Sequence, residues 1–454
     1  MADFSSEIKV PKRILNTLLQ SLAAGVVPRV GAPYIAIGRE EEIDSLLKDL
    51  DQVRLGGAFS RFLIGRYGSG KSFLIQLIRG RALEAGFICL DADLSPERRL
   101  SGGSGAGLAT YRELITNMAC KASPDGGALP IVLSRYYASL ASELAALGIY
   151  PESPLFEAEL KKRVLNILSE LEGDVGGFDF ARVLGEYYIA TVREEGEKKS
   201  ACLRWLRGEF ANKTEANNAL GFRVSSVIDD DSWYNFIKLF ASLSVKLGYT
   251  GLIVFIDECV NLYKIPNRIS REANYEKLLA IFNDTLQGKA KSLGVVFGGT
   301  PQFLEDTRRG LFSYDALKSR LQDSKFASIS GYQNLSSPVI RLRTLSGAEL
   351  LALVKRLTNL YAMRDASEPL VSDSEIEEFV NLAISRAGAA EMMTPREIIR
   401  DYLSFLNVLR DNPGATFKDL MNRAKRLPQD AGDGDDTPPA GSGSGMIGLF
   451  DIDI

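Results

Sequence analysis

One eight-residue segment combines glycines, a lysine and a serine at the spacing of a phosphate-binding loop. Residues 65–72 read Gly-Arg-Tyr-Gly-Ser-Gly-Lys-Ser, which fits the pattern GxxxxGK[ST]. Glycines let backbone N–H groups converge on phosphate oxygens, and a following helix adds the positive end of its dipole. We expect Lys71 to neutralise the β- and γ-phosphates of ATP and Ser72 to ligate Mg²⁺. The alternative is a chance glycine turn. The nucleotide-binding residues predicted from this segment and its helix are Gly65, Arg66, Tyr67, Gly68, Ser69, Gly70, Lys71, Ser72 and Phe73.

A second segment is an apolar run that ends in two carboxylates. Residues 252–256 are Leu-Ile-Val-Phe-Ile, and Asp257 and Glu258 follow them. Buried strands rarely end in adjacent acids without a cation nearby, because an unpaired buried carboxylate is costly. We expect Asp257 to hold Mg²⁺ through its water shell. Glu258 would be the catalytic residue that orients and polarises the attacking water. The alternative is an exposed pair of acids at a strand end.

Two further residues indicate the AAA+ type of P-loop ATPase. Thr300 follows a short apolar strand, residues 295–297, and is predicted to stand between the acids and the γ-phosphate, the role called sensor 1. Arg396 opens a helix in the C-terminal part of the chain and is predicted to reach the γ-phosphate as a sensor 2 arginine. The alternatives are a turn at a strand end for Thr300 and a solvated helix arginine for Arg396.

A third AAA+ feature is an arginine that reaches into the site of a neighbouring subunit. Arg320 lies after the predicted sensor 1 position, where AAA+ proteins carry this arginine finger. Arg308 and Arg309 compete with it for the role. A finger that acts in a neighbour implies a homo-oligomer.

The composition excludes several other kinds of chemistry. The chain has 454 residues, and because none of them is histidine, it cannot form a Ser-His-Asp triad or a histidine metal site. The four cysteines lie far apart without a CxxC pair, which suits free thiols in a reducing cytosol. The net charge of −4 gives no global attraction to nucleic acid. We see no signal peptide and no apolar stretch of about 20 residues, so we expect a cytoplasmic protein that does not enter the membrane.

The elements around these residues predict a parallel α/β sheet. Residues 60–64 and 87–92 read as buried strands on either side of the loop and its helix, residues 72–84. Residues 252–256 have the β-branched, fully apolar character of a central parallel strand. Residues 339–342 are predicted to form an edge strand.

The pattern also predicts how the chain divides. We expect an N-terminal helical segment at 1–34 and a P-loop ATPase core at 35–345, which a long helical insertion interrupts at about 101–250. An all-helical lid is predicted at 346–427, followed at 428–454 by a disordered acidic tail with an apolar tip.

Two N-caps support the helical lid. Ser346 and Thr394 each precede a helical pattern, and Thr394 is followed by Pro395 and by Glu397 at the third helical position. The predicted lid helices are residues 348–361, 373–387, 395–409 and 416–424.

Residues 35–42, Ile-Ala-Ile-Gly-Arg-Glu-Glu-Glu, resemble the segment that opens the AAA+ module of origin-recognition and STAND-type ATPases. That segment lies close to the adenine, so the resemblance implies that Gly38 and Arg39 bind the nucleotide. Six further stretches are GRYGSGKSF, DADLSPERRLSGG, CLRWLRGE, GLIVFIDECVNLY, GGTPQFLEDTRRGLFSYDALKSRL and MTPREIIRDYL. Through them the chain more specifically resembles the ATP-binding family associated with bacterial BREX phage-defence loci (BrxD-like).

This resemblance implies an ATPase that works with other defence proteins, often encoded beside a helicase. The leading hypothesis is a motor or switch that hydrolyses ATP and acts on DNA or a DNA-processing partner. The alternatives are a STAND-like scaffold that ATP holds together with little turnover, and, more weakly, a kinase. Any DNA binding is expected to be sequence-tolerant and salt-sensitive and to involve the insertion or the lid. Trp205, between Arg204 and Arg207, is either a base-stacking residue or, as we favour, an anchor packed inside the insertion.

Overall fold

The computed structural model describes residues 10–103, 105–168, 176–323, 334–386 and 394–426. Its helices, in chain order, are α1 (Lys12–Ala23), α2 (Glu40–Arg54), α3 (Lys71–Glu84), α4 (Ala106–Thr116), α5 (Leu129–Ala146), α6 (Phe156–Leu168), α7 (Gly177–Val192), α8 (Gly196–Leu206), α9 (Lys213–Leu220), α10 (Trp233–Lys246), α11 (Val260–Tyr263), α12 (Arg268–Leu286), α13 (Pro301–Glu305), α14 (Asp315–Leu321), α15 (Gly347–Asp365), α16 (Asp373–Arg386), α17 (Pro395–Asp411) and α18 (Phe417–Arg426). Its strands are β1 (Ala58–Ile64), β2 (Ile88–Asp93), β3 (Leu252–Asp257), β4 (Leu293–Gly299) and β5 (Val339–Arg341).

The chain forms two compact units that do not follow the sequence linearly. The first unit, which we call the loop unit, comprises Met1–Glu41, Gly65–Leu77 and Leu342–Ile454. The second, the sheet unit, comprises Glu42–Ile64 and Ile78–Arg341. The domain boundaries predicted from the sequence describe a different division, and they stay a prediction.

The sheet unit contains five parallel strands in the order β2-β3-β4-β1-β5. Every residue of β1, β3 and β4 is buried, as continuous apolar runs covered on both faces require. The predicted α/β class with a parallel sheet is therefore confirmed, and β5 lies at an edge as expected. The register pairs Ile64 with Gly299 and Ile256 with Phe297, so β1, β3 and β4 end at one edge of the sheet.

The long insertion between β2 and β3 is helical, as predicted, and comprises α4 to α10. Trp205 lies in its core with 1% of its surface exposed. The indole N–H of Trp205 donates to the carbonyl of Ser226 at 3.2 Å, and the ring meets Phe236 edge-on. Because no face of the ring is open, Trp205 is a packing anchor and does not stack on a base, which is the interpretation that the sequence favoured.

The loop unit packs α1 against α15 to α18 around its own apolar core. Leu18, Leu357, Phe379, Tyr402 and Phe405 are among its buried side chains. The predicted lid helices are confirmed over their described residues, with boundaries that differ by a few positions.

Both predicted caps of the lid are present. Thr394 and Ser346 each form a capping box. The side chain of the cap accepts a hydrogen bond from the N–H of the third helical residue, a glutamate, whose carboxylate accepts from the N–H of the cap. The predicted acidic tail at 428–454 lies outside the described residues. Among the described residues, no helix is both long enough and apolar enough to cross a membrane.

Candidate functional site

The predicted phosphate-binding loop belongs to the loop unit and directly follows β1 in the chain. Gly68 and Gly70 have φ angles of 71° and 95°, the left-handed region in which a side chain is strained. The ammonium of Lys71 donates to the carbonyls of Gly65 at 2.7 Å and Arg66 at 3.0 Å, so it lies over the loop. The hydroxyl of Ser69 is buried and has no hydrogen-bond partner among the described residues.

These features fit a phosphate group. Left-handed glycines turn successive N–H groups toward one side of a loop, a lysine is already folded over it, and a buried hydroxyl lacks a partner. The oxygen of Ser72 and the carboxylate of Asp257 are the kind of donor that Mg²⁺ prefers alongside phosphate and water. Among the described residues, no three histidine, cysteine or acidic side chains group together as a metal cage.

A buried arginine supports the loop. Arg39 is 4% exposed, and its Nη2 donates to the carbonyl of Ser69 at 3.0 Å and to that of Arg343 at 2.8 Å. The preceding Gly38 approaches the lid closely, since a Cβ there would lie 2.7 Å from a carboxylate oxygen of Glu349. Sequence reasoning placed Arg39 near the adenine; its nucleotide-binding role, and that of Gly38, stays a prediction.

The lid helix α17 begins against the same loop. A Cβ on Gly68 would lie 2.5 Å from the hydroxyl of Thr394, so only glycine allows this approach. Arg396, the predicted sensor 2 residue, is exposed in the first turn of α17. Met393, which opens the predicted motif, lies outside the described residues.

The predicted catalytic acids lie in the sheet unit, at the carboxyl end of β3. Asp257 is buried, with 8% of its surface exposed, and its carboxylate accepts the N–H of Glu258 at 2.8 Å. Glu258 has a φ of 56°, which is strained for a residue with a side chain. The N–H of Cys259 donates to Gly298 of β4 at 2.9 Å, and the carbonyl of Asp257 accepts from Leu94 at 3.0 Å. Hydrogen bonds on both sides therefore hold Glu258 in this conformation.

Thr300 lies at the same edge, directly after β4. It is 7% exposed and caps α13 by accepting the N–H of Phe303 at 3.3 Å. Because a threonine hydroxyl also carries a proton, the cap leaves Thr300 able to donate a hydrogen bond. The turn at the strand end and the sensor role are therefore compatible, and the sensor role stays a prediction.

The structure separates the three competing arginines. Arg309 is partly buried, its guanidinium donates to the carbonyls of Tyr263 at 3.2 Å and Ile265 at 3.3 Å, and it lies 5.3 Å from the centroid of the Tyr263 ring. Arg320 is exposed on α14, where its guanidinium donates to the carbonyl of Ala316 in its own helix and to no other residue that the structure describes. Arg308 is also exposed. Arg309 is thus bound within its own chain, whereas Arg320 points to solvent.

Sequence reasoning missed one acid at this edge. Asp93 ends β2 and is paired in register with Asp257 on β3. Although Asp93 is exposed at the surface, partial desolvation of its carboxyl group, and next the charge of Asp257, raise the pKa of Asp93 above its ordinary value. The signal was available, because carboxyl ends of adjacent parallel strands meet at one edge and the sequence ends β2 in Asp-Ala-Asp.

A parallel sheet whose first strand runs into a glycine-lysine loop, with acids at the end of another strand of the same sheet, defines the P-loop class of α/β nucleotide-binding proteins. Within that class the chain belongs to the family described as BREX system ATP-binding protein BrxC/D, whose model matches residues 10–425. The resemblance stated from the sequence motifs is therefore confirmed. Membership supports an ATP-binding role in phage defence. A comparison with curated proteins finds no match.

Proposed function

We propose that this protein hydrolyses ATP with Mg²⁺ and uses the reaction to rearrange a phage-defence assembly. The P-loop N–H groups and Lys71 hold the phosphates, and Ser72 and Asp257 hold Mg²⁺, which neutralises phosphate charge when bound. Glu258 positions and polarises the attacking water. This assignment keeps each role that the sequence predicts.

The conformation of Glu258 is the observation that carries the proposal. A strained backbone costs about 1–3 kcal/mol and persists only when its surroundings impose it. At Glu258 the bond to Asp257 and the bond from Cys259 to β4 impose it. Hydrolysis of the phosphoanhydride bond of ATP depends mainly on positioning, and a carboxylate fixed beside a buried Asp257 suits that task.

Arg320 and Thr300 complete the proposed reaction. An exposed arginine on α14 suits a finger that reaches the site of a neighbouring subunit, and this role requires a homo-oligomer. Thr300, whose hydroxyl can still donate a hydrogen bond, suits the sensor 1 role. The exposed Arg396 suits a sensor 2 residue whose contact depends on the nucleotide.

The partner is proposed to be DNA or another defence protein such as a helicase. Family membership in a BREX system supports a defence partner. Direct DNA binding would be sequence-tolerant and would weaken steeply with salt, because contacts to phosphates release counterions.

A second candidate function is a nucleotide-held scaffold with little turnover. The observation in its favour is that the P-loop and the lid are parts of one compact unit, in which Thr394 of the lid lies against Gly68 of the loop. ATP bound there would stabilise the loop unit whether or not it is hydrolysed.

Steady-state hydrolysis and nucleotide binding by wild type, Glu258→Gln and Lys71→Ala, with and without DNA, test these functions. Light scattering records the mass in the same samples. We expect Glu258→Gln to bind ATP but to lose about a hundredfold or more in turnover, since it removes the residue that positions the water. Lys71→Ala is the control that weakens binding itself.

Turnover that vanishes in Glu258→Gln and tracks assembly supports the ATPase. Tight ATP binding by wild type with negligible turnover and unchanged mass contradicts it and supports the scaffold. Turnover that survives in Glu258→Gln assigns the reaction to another mechanism.

A further inference from the structure

Arg39 contacts the phosphate-binding loop from the side of its carbonyls. Its guanidinium is almost completely buried and donates to the carbonyl of Ser69 at 3.0 Å. Ser69 is followed by Gly70 and Lys71 of the loop motif. A cation bound to a loop carbonyl acts on the loop itself, whatever ligand the loop later holds.

Peptide geometry gives this bond a consequence. In a trans peptide the C=O of one residue and the N–H of the next lie in one plane and point in opposite directions. Fixing the carbonyl of Ser69 on the Arg39 side therefore turns the N–H of Gly70 to the other side. Gly70 has a φ of 95°, and a Cβ there would meet nothing within 4 Å, so its backbone conformation and not crowding calls for glycine.

Arg39 is itself fixed by a hydrogen bond to a residue outside the loop. Its second bond goes to the carbonyl of Arg343 at 2.8 Å. The guanidinium of Arg343 forms two bonds with Glu349, at 2.6 and 2.7 Å, and Glu349 also closes the capping box with Ser346. Paired N–H···O bonds of this kind fix orientation as well as distance. The support for the loop therefore rests on the start of α15.

We propose that Arg39 is a positioning residue that presents the N–H of Gly70 to the phosphates of ATP, and that it does not read the adenine. The inference rests on the proposed binding of ATP by the P-loop. It differs from the role that the resemblance implies for Arg39, because a base contact and a loop support respond to different parts of the ligand.

The test compares Arg39→Ala and Arg39→Lys with wild type in binding ATP, ADP and inorganic triphosphate, by competition against a fluorescent ATP analogue. Losing a hydrogen bond from a charged donor should weaken ATP and triphosphate equally, by about tenfold. Arg39→Lys, which offers a charge without the two-pronged geometry, should fall between. Arg410→Ala is the matched control, because it removes an exposed arginine of the same unit whose guanidinium bonds to Asp411 and not to the loop.

A second readout needs no nucleotide. Amide hydrogen exchange of the peptide that contains residues 65–73 should be faster in Arg39→Ala and unchanged in Arg410→Ala. Circular dichroism shows whether each variant is folded.

The possible outcomes separate the two proposals. Equal loss of ATP and triphosphate with faster exchange supports the positioning role. Loss of ATP alone, with triphosphate unchanged, overturns it and assigns Arg39 to the base or ribose. Unchanged binding and exchange also overturn it. If wild type binds neither ligand, the proposed function fails, and the exchange experiment still decides whether Arg39 orders the loop.

Discussion

The phosphate-binding loop and the acidic edge of the sheet reach unusual backbone conformations in different ways. The loop uses glycines, Gly68 and Gly70, where positive φ angles carry no side-chain strain. The sheet edge places Glu258 at a φ of 56° and holds it by hydrogen bonds. The difference indicates what each region contributes: the loop offers backbone donors, whereas the edge must fix one particular side chain.

The arginines of the two regions divide in the same way. Arg39 and Arg309 donate to backbone carbonyls of their own chain. Arg39 is buried and Arg309 is partly buried. Arg320 and Arg396 are exposed. We infer that the first pair supports local backbone and that the second pair is available to a nucleotide or a neighbouring subunit.

The largest expected effect tests whether Arg309 acts within its own subunit and Arg320 in the neighbour. Each of Arg309→Ala, Arg320→Ala and Glu258→Gln should lower turnover, Arg320→Ala by at least about a hundredfold because a finger stabilises the transition-state charge. Mixing Arg320→Ala with Glu258→Gln should restore activity, since one subunit supplies the acid and the other the finger. Turnover of mixed oligomers is the measurement.

The control mixture is Arg309→Ala with Glu258→Gln. If both residues act in the same subunit, no site in that mixture is complete and activity stays low. Restored activity would show that Arg309 acts across the interface and would contradict its assignment to its own subunit.

A smaller effect, on stability, tests the two left-handed positions. At residue 258 glycine should be more stable than alanine by about 1 kcal/mol, because only glycine adopts this conformation without strain. Gly70→Ala should destabilise by a similar amount for the same reason. Urea unfolding of the nucleotide-free protein measures both.

Gly80, inside α3 with open space where a Cβ would be, is the matched control. Gly80→Ala should stabilise by about 1 kcal/mol, because alanine is the better helix former. Equal stability of the glycine and alanine variants at residue 258 would contradict the strain that we assign to Glu258.

The smallest expected effect concerns the acids. Hydrogen bonds from Arg343 are the main cause that lowers the pKa of Glu349 to about 2, whereas partial desolvation of its carboxyl group raises the pKa of Asp93. A carboxylate with a lowered pKa adds stability that is complete above its ordinary pKa near 4.5 and is lost as the pH falls toward 2. The stability advantage of wild type over Glu349→Gln should therefore shrink between these pH values.

The stability advantage of wild type over Arg343→Ala should also shrink as the pH falls toward 2, because this variant lacks the main cause of the low pKa of Glu349. Unfolding measured at a series of pH values provides the check. A constant difference between wild type and Glu349→Gln across this range would show that the ion pair does not stabilise the folded protein.

Local sequence patterns predicted most of the fold. The buried strands β1, β3 and β4 are continuous apolar runs, and the caps Ser346 and Thr394 are legible because a cap and its glutamate lie three residues apart. The glycine loop and the acids at the end of β3 were found for the same reason. In each case the signal lies within about ten neighbouring residues, which is the range over which periodicity and turn chemistry act.

The sequence by itself determined the P-loop motif, the α/β class, the family resemblance and the candidates for each role. Only the tertiary structure decided that Arg309 is bound in its own chain, that Asp93 lies beside Asp257, and that Arg39 holds a carbonyl of the loop. The physical reason is distance along the chain. Arg39 and Arg343 are 304 residues apart in sequence, and an arginine carries no local sign of which distant carbonyl will accept its hydrogen bond.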